Sequence, residues 1–589
     1  MRESKGGCGR PLFFRRLAAC VLAPAGLLWA LAGPASAQPD PEGASGWKDK
    51  PLSHAQRHMV AAAHPLAVEA GLEILRAGGS AVDAAIAVQL VLGLVEPQSS
   101  GLGGGAFLLH WDAARAEVKA YDGRETAPGA ARPTRFLDGL GRPMPYFEAV
   151  VSGLSVGVPG VLRMMELAHA RHGRLPWARL FAPALRLSTE GFAVSPRLRR
   201  LLASERFLRD DPAARALYYD PQGRARPEGS LLTNTEYAAT LREIAASGAD
   251  AFYRGPIARE IVMAVRAHVR PGDMTEADLA GYRAVERAPV CGTHRGHRLC
   301  SMGPPSAGGI GVLQMLGVLA RTGFSAAAPE SVQALHLFAE AGRLAYADRA
   351  RWIADPDFVP QPVAGLLAPD YLDARAALVG QRSMGWAPPG QPRGAHALSA
   401  GEDREMAGTS HLSIVDAQGN AVSMTSTIES QFGSRIMVRG FLLNNQLTDF
   451  SFSPESEGRP AANRVEGGKR PRSSMAPTLA FSPDGQHRLA MGSPGGPAII
   501  NYVAKALVGV LDWGLDIQAA IALPNFGSAN GPTLVERGSR WEDLGDALAE
   551  RGHVLSYRPL TSGTHGIERA GGGLRGGADP RRDGVARGD

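Results

Sequence analysis

Between Gly408 and Gln446 the chain reads GTSHLSIVDAQGNAVSMTSTIESQFGSRIMVRGFLLNNQ. Apolar and polar positions alternate through two seven-residue runs, Thr409–Val415 and Ala421–Thr427, on either side of the turn-forming Asp416-Ala-Gln-Gly-Asn420. A period of two is that of a half-buried strand, so the pattern predicts a hairpin. Counting outward from a symmetric turn sets Val415 opposite Ala421, Ser413 opposite Ser423, His411 opposite Thr425 and Thr409 opposite Thr427. The other face pairs Ile414 with Val422 and Leu412 with Met424. One face is apolar; the other is a row of hydroxyls ending in two threonines. An ordinary threonine-rich hairpin on a sheet edge is the plain structural alternative.

Upstream, Ala61–Leu94 is rich in Ala, Leu and Val and is punctuated by Gly78-Gly79, which predicts two helices. The second, 81–94, has little charge apart from Asp83 and reads as buried. Glu96-Pro-Gln-Ser-Ser-Gly-Leu-Gly-Gly-Gly105 has no lysine where a phosphate loop needs one and no dinucleotide spacing, so it reads as close backbone packing. Phe107–Trp111 and Val118–Tyr121 are strand-like, 155–285 is mainly helical, Gly303–Gly309 opens a helix to about Leu319, and 340–353 is helical again. The stretch from Trp386 to Gly408 is dense in Pro, Gly and charge, which predicts an exposed and mobile segment. Composition and periodicity by themselves say mixed α and β with substantial helix.

With 589 residues, 44% of them apolar, the chain suits one large or two fused globular units. It opens with Arg2, Lys5, Arg10, Arg15 and Arg16, runs apolar from Leu17 to Ala32 and reaches Ala35-Ser36-Ala37, the pattern of a secretory leader cut before Gln38. A lipoprotein site at Cys20 and an uncleaved anchor compete with it, but the cysteine stands near the start of the apolar run and Pro24 breaks that run. The leader holds five of the 63 basic residues and one of the 57 acidic ones, so the remaining chain is near neutral. No long run of one charge survives, which argues against nucleic acid or an anionic membrane as partner. Two cysteines remain, Cys291 and Cys300, with a glycine-marked turn between them. In an exported protein they are expected to form a disulfide across that turn or to stay as buried thiols. His294 and His297 raise a metal alternative, at a spacing that matches no common zinc pattern.

The chemistry centres on the threonine pair. Thr409 reads as a nucleophile with Thr427 as its hydrogen-bonding neighbour, and the base it lacks is supplied if the chain is cut before it, freeing its own α-amine. Gly408 suits such a cut, since a residue without a side chain tolerates the strained backbone in which the hydroxyl attacks its carbonyl. Arg124, in DGRETAP at a strand end, is able to clamp a carboxylate through two parallel bonds. Gln446 and Asp449 offer polar groups after a strand, Ser473-Ser474 offers adjacent hydroxyls, and Gly495-Gly496 offers two N–H groups near a helix start. A solvated arginine, a turn-capping aspartate, backbone-capping serines and a simple strand-to-helix turn are the structural alternatives for these positions.

GTSH, the DxxGNAVSMTST hairpin, FGS, LLNNQLTDF, GKRPRSSMAPT and GSPGG, with PQSSGLGGGAF, DGRETAP and PPSAGG upstream, resemble the γ-glutamyltransferase (γ-glutamyltranspeptidase) family of N-terminal-nucleophile hydrolases. The resemblance covers nearly all of the chain beyond residue 55. It implies an α+β fold, a four-layer αββα sandwich, and a precursor that cuts itself between Gly408 and Thr409. The pieces would be a leader 1–37, a large chain 38–408 and a small chain 409–589 that stay together as a heterodimer in the periplasm or outside the cell. It implies γ-glutamyl donors such as glutathione, with water, amino acids or peptides as acceptors, and no metal or organic cofactor. Arg124, Ser473 and Ser474 would hold the donor's α-carboxylate, Asp449 its α-amine, and Gly495 and Gly496 the oxyanion, with Gln446 and Glu429 as further substrate-binding positions. Glu429 stands where the family pattern commonly has an amide, which puts strict glutathione-type specificity in doubt. The loop 451–468 is polar and short, with no aromatic beyond Phe452, which predicts an open pocket. The Gly576-Gly577 and Arg581-Arg582 pairs are expected to turn at the surface. A glutaryl-type (cephalosporin) acylase of the same superfamily and a non-catalytic exported binding protein are the competing functions.

Overall fold

The first strand after the Gly408–Thr409 bond lies in the middle of a sheet, and the rest of the fold is built outward from it. This computed structural model describes residues 43–396, 398–401 and 405–589; the expected leader 1–37 lies outside the described residues. Edge to edge, one seven-stranded sheet runs Val585–Gly588, Met59–Ala62, Thr409–Val415, Ala421–Thr427, Gly105–Asp112, Glu117–Gly123 and Val285–Arg287. The hairpin has the register its alternation predicts, with Thr409 opposite Thr427, His411 opposite Thr425 and Val415 opposite Ala421. It is not an edge hairpin: Met59–Ala62 flanks one side and Gly105–Asp112 the other.

A second seven-stranded sheet packs on the first, in the order Ser53–Ala55, Gly573–Ala578, His565–Ala570, His487–Gly492, Thr478–Phe481, His297–Ser301 and Val290–His294. Side-chain parity assigns the layers. Val60, Ala62, Ala106, Leu108, Leu412, Ile414, Val422 and Met424 point to a helical core with Pro65–Arg76 and Ala81–Val95. Met59, Ala61, Phe107, Leu109, Val415 and Ala421 point the other way, into a core shared with the second sheet and with the helices Gly308–Leu319, Val332–Trp352 and Ile499–Leu511. The result is the expected αββα sandwich.

All 15 residues of Ala81–Val95 are buried, as its near absence of charge predicts. Its start is fixed locally: Ser80 Oγ accepts from Asp83 N at 3.1 Å while Asp83 Oδ2 accepts from Ser80 N at 2.9 Å. Each of Leu412, Ile414, Val422 and Met424 contributes about 2 kcal/mol by burial against this layer.

The hydroxyl face departs from expectation. A half-buried strand predicts that it meets water, yet every residue of both hairpin strands is buried. The second sheet covers it and supplies the partners. Ser423 Oγ donates to Met491 O at 2.9 Å and accepts from Thr478 N at 3.0 Å. His411 lies 2.9 Å from Thr425 Oγ1 and 3.0 Å from Ser413 Oγ, and burial holds its imidazole well below the ordinary range, hence neutral. Small hydroxylated residues thus make a satisfied polar strip inside the sandwich.

Cys291 and Cys300 face each other across neighbouring strands and form a disulfide. His294 instead meets Asp512 at 2.7 Å, and His297 Nε2 lies 3.0 Å from Arg488. The C-terminal expectation fails: Gly576 and Gly577 lie within a buried strand, and Arg581 and Arg582 are buried rather than at a surface turn.

Candidate active site

The polar strip of the hairpin ends at the threonine pair, both 3% exposed. Thr409 Oγ1 donates to Thr427 Oγ1 at 3.3 Å, and Thr427 Oγ1 in turn donates to the Gly408 carbonyl at 2.7 Å while accepting from Glu429 N at 2.8 Å. The hydroxyl of one threonine therefore polarises the carbonyl that the other would attack. A Cβ on Gly408 would fall 2.1 Å from the Glu429 carbonyl oxygen, so only glycine fits ahead of Thr409. A Cβ on Gly104, in the glycine-rich loop, would fall as close to the Thr427 carbonyl oxygen, which is the close packing that loop predicts.

Arg124 follows the strand Glu117–Gly123 and is buried, not solvated. It donates to Asp449 Oδ2 at 2.6 Å, to Arg472 O at 2.8 Å and to Pro471 O at 3.1 Å. Gln446 Nε2 also donates to Asp449 Oδ2, at 2.5 Å. Burial and the neighbouring Glu429 raise the Asp449 carboxyl, with Arg124 opposing. Glu429 Oε1 accepts from Met406 N at 2.6 Å and Tyr146 OH at 3.3 Å, and Asn445 Nδ2 donates to its Oε2. Burial pushes the Glu429 carboxyl up to about 7. Its backbone sits at φ 78°, a left-handed conformation that costs a non-glycine residue on the order of 1–3 kcal/mol.

Ser474 and Ser473 behave differently. Ser473 Oγ accepts from Met475 N at 3.1 Å, a backbone cap. Ser474 presents both its N–H and its hydroxyl to Glu405, at 3.0 and 2.6 Å, and accepts from Arg349 at 2.7 Å. Gly495 and Gly496 stand between the strand His487–Gly492 and the helix Ile499–Leu511 at φ 135° and 54°. A Cβ on Gly496 would lie 2.5 Å from the Met406 carbonyl oxygen, so this turn abuts the segment leading into Thr409.

Two side chains lie here that the sequence does not place at the site. Arg349 belongs to the helix Val332–Trp352, where only its burial, invisible in composition, separates it from a surface arginine. Arg582 Nη1 approaches the Thr409 carbonyl at 3.5 Å. Two expectations about loops also change. The segment before the threonine is buried where it ends, at Glu405, Ala407 and Gly408. The loop 451–468 is exposed at 455–459 and at Gly468. Phe452 is buried and stacks on Phe136 at 4.5 Å, and Asn463 bridges Asp449 O and Arg472 N at 2.7 and 2.9 Å. The loop is latched, not open. Beside Ala407 lies a cavity of about 630 Å³, lined in part by Phe147, Phe207, Gln431 and Arg435.

Among the described residues, His336, Glu340 and His553 bring ligand atoms within 4.8 Å of one another. All three are already engaged. His553 and His336 meet at 2.8 Å, the latter also faces Gly380 O at 2.8 Å, and Glu340 accepts from Arg343, Ser383 and Met384 N, each at 2.8 Å. The cluster is a closed structural network.

An αββα sandwich with a threonine opening a central strand defines an N-terminal-nucleophile hydrolase fold. The sequence pattern of the gamma-glutamyltranspeptidase family matches residues 67–588. The chain is 36% identical over 543 residues to the glutathione hydrolase proenzyme of Bacillus subtilis (strain 168), covering 90% of this chain and 91% of that protein. It is 35% identical over 589 residues to the glutathione hydrolase proenzyme of Escherichia coli (strain K12), covering 97% and 98%. The crystal structure of a cephalosporin acylase from Bacillus halodurans superposes with a TM-score of 0.80 at 28% identity, over 93% of this chain and 99% of that one. The chain belongs to the γ-glutamyltranspeptidase family.

Proposed function

We propose that this chain is an exported proenzyme that cuts itself before Thr409 and then hydrolyses or transfers γ-glutamyl groups from glutathione and related amides. What carries the reading is the contact chain Thr409 Oγ1, Thr427 Oγ1, Gly408 O. Attack of the Thr409 hydroxyl on the Gly408 carbonyl forms an ester and frees the Thr409 nitrogen as an amine. Water then opens the ester, leaving a Gly408 carboxylate and the hydroxyl restored. In the cut enzyme that amine takes the hydroxyl proton as Thr409 attacks the donor's γ-carbonyl, with the N–H groups of Gly495 and Gly496 holding the oxyanion. The proton passes to the leaving amine, and water or an acceptor amine resolves the acyl-enzyme. Arg124, Ser473 and Ser474 receive the donor's α-carboxylate; Glu429, Gln446 and Asp449 receive its ammonium. Large and small chains remain paired, and the cavity beside Ala407 gives the leaving or accepting amine room.

Among the described residues no helix is long and apolar enough to cross a membrane; export rests on the leader pattern. The competing reading, a glutaryl-type acylase, draws on the likeness to the cephalosporin acylase. Against it stand two buried carboxyls, Glu429 and Asp449, both raised by burial. A substrate ammonium compensates them and a glutaryl group, which lacks the amine, does not. Turnover of an L-γ-glutamyl anilide beside its glutaryl counterpart decides, with the γ-glutamyl compound expected to be faster. Denaturing electrophoresis with mass measurement is expected to give two fragments for the wild type and one for Thr409→Ala.

A further inference from the structure

The four residues ahead of Thr409 end inside the site. The Glu405 carboxylate accepts from Ser474 N at 3.0 Å on one oxygen, and from Ser474 Oγ at 2.6 Å and Arg349 Nη2 at 2.7 Å on the other. One residue on, Met406 N donates to Glu429 Oε1 at 2.6 Å. The chain thus places a carboxylate on Ser474 and an N–H on Glu429, the two kinds of group that a γ-glutamyl donor carries on its α-carbon.

We infer that Glu405 is an internal occupant of the donor's carboxylate subsite, held there until the chain is cut, and that Arg349 is a further substrate-binding residue of the cut enzyme. The inference rests on the proposed function above for the identity of the donor. Arg349 is held by its helix, and one guanidinium nitrogen bridges Ser474 Oγ and the Glu405 carboxylate. It is 3% exposed, and a buried guanidinium and carboxylate are each costly to leave uncompensated, so whatever displaces Glu405 must itself bring a carboxylate. While the backbone is continuous, Glu405 is tethered through Gly408 to a central strand, so its effective concentration at Ser474 exceeds that of any free donor. Cleavage turns the same residue into part of a chain end. The tether is lost, and a dissolved γ-glutamyl compound competes on equal terms.

The test uses uncut protein. Isothermal titration of Thr409→Ala with L-glutamate is expected to show binding at least about tenfold weaker than that of Thr409→Ala with Glu405→Gln or with Glu405→Ala. In processed enzyme, Arg349→Met is expected to raise KM for an L-γ-glutamyl anilide about tenfold or more with kcat changed less than about twofold. Arg349→Lys should recover part of that loss, which a purely structural arginine would not do. Equal glutamate binding by the single and double variants, or a wild-type KM in both Arg349 variants, overturns the inference. If processed wild type turns over the glutaryl but not the γ-glutamyl anilide, the reading of the donor fails instead, and the carboxylate subsite is judged by the same titrations with glutarate.

Discussion

Two buried arginines hold buried carboxylates in this site, and the pairs differ in what the chain allows them to do. Arg124 and Asp449, 2.6 Å apart, are fixed at both ends, Arg124 by the carbonyls of Pro471 and Arg472 and Asp449 by Gln446. Arg349 and Glu405, 2.7 Å apart, join a helix to a segment that runs directly into the proposed cleavage point. The ion-pair chemistry is the same and the lengths are nearly equal. What separates a pair that stays in the site from the inferred removable plug is the covalent continuity of the backbone that carries the carboxylate.

Thr409→Ala erases the difference most completely. It is expected to lower turnover by about 10⁴-fold or more and to leave one chain in which both pairs persist, as read by anilide hydrolysis and electrophoresis. Thr427→Val removes the donor to the Gly408 carbonyl and is expected to slow self-cleavage by roughly 10²–10³-fold, followed by the decay of precursor after synthesis. Arg124→Met strands the buried Asp449 and should cost about 3 kcal/mol of stability. Arg349→Met should cost less once the chain is processed, where the inferred departure of Glu405 leaves no stranded carboxylate, and paired urea midpoints compare them. Glu429→Gln is expected to raise KM for the γ-glutamyl anilide by roughly tenfold and to leave that for the glutaryl anilide nearly unchanged.

The smallest effect is that of pH. Burial pushes the Glu429 carboxyl up to about 7 while the Met406 N–H holds it down, so withdrawal of Met406 on cleavage moves it further up. With Glu429 in its proposed role at the ammonium, KM for a γ-glutamyl donor should fall as pH rises above about 7 and the anion forms. Glu429→Gln should flatten the dependence.

The hairpin was fully legible in the sequence, because a period of two on each side of a short turn leaves one symmetric register. Its depth was not. Alternation reports two unlike faces, and only the cross-sheet partners Met491 O and Thr478 N explain why a row of hydroxyls lies buried. Local composition misled in the same way at Glu405. Pro, Gly and charge around it suggest exposure, but its guanidinium partner lies 56 positions away, beyond any window a pattern inspects. Arg582 was missed for a related reason: beside glycines and another arginine it looks like a surface turn, yet it approaches Thr409 across 173 positions.

The strand order of the first sheet has one more consequence. Met59–Ala62 lies between Val585–Gly588 and Thr409–Val415, and in the second sheet Ser53–Ala55 pairs with Gly573–Ala578. A single break after Gly408 therefore leaves two polypeptides woven through one another, with no flat boundary along which to part. Separating them means melting both sheets, so the nicked molecule should come apart only when it denatures.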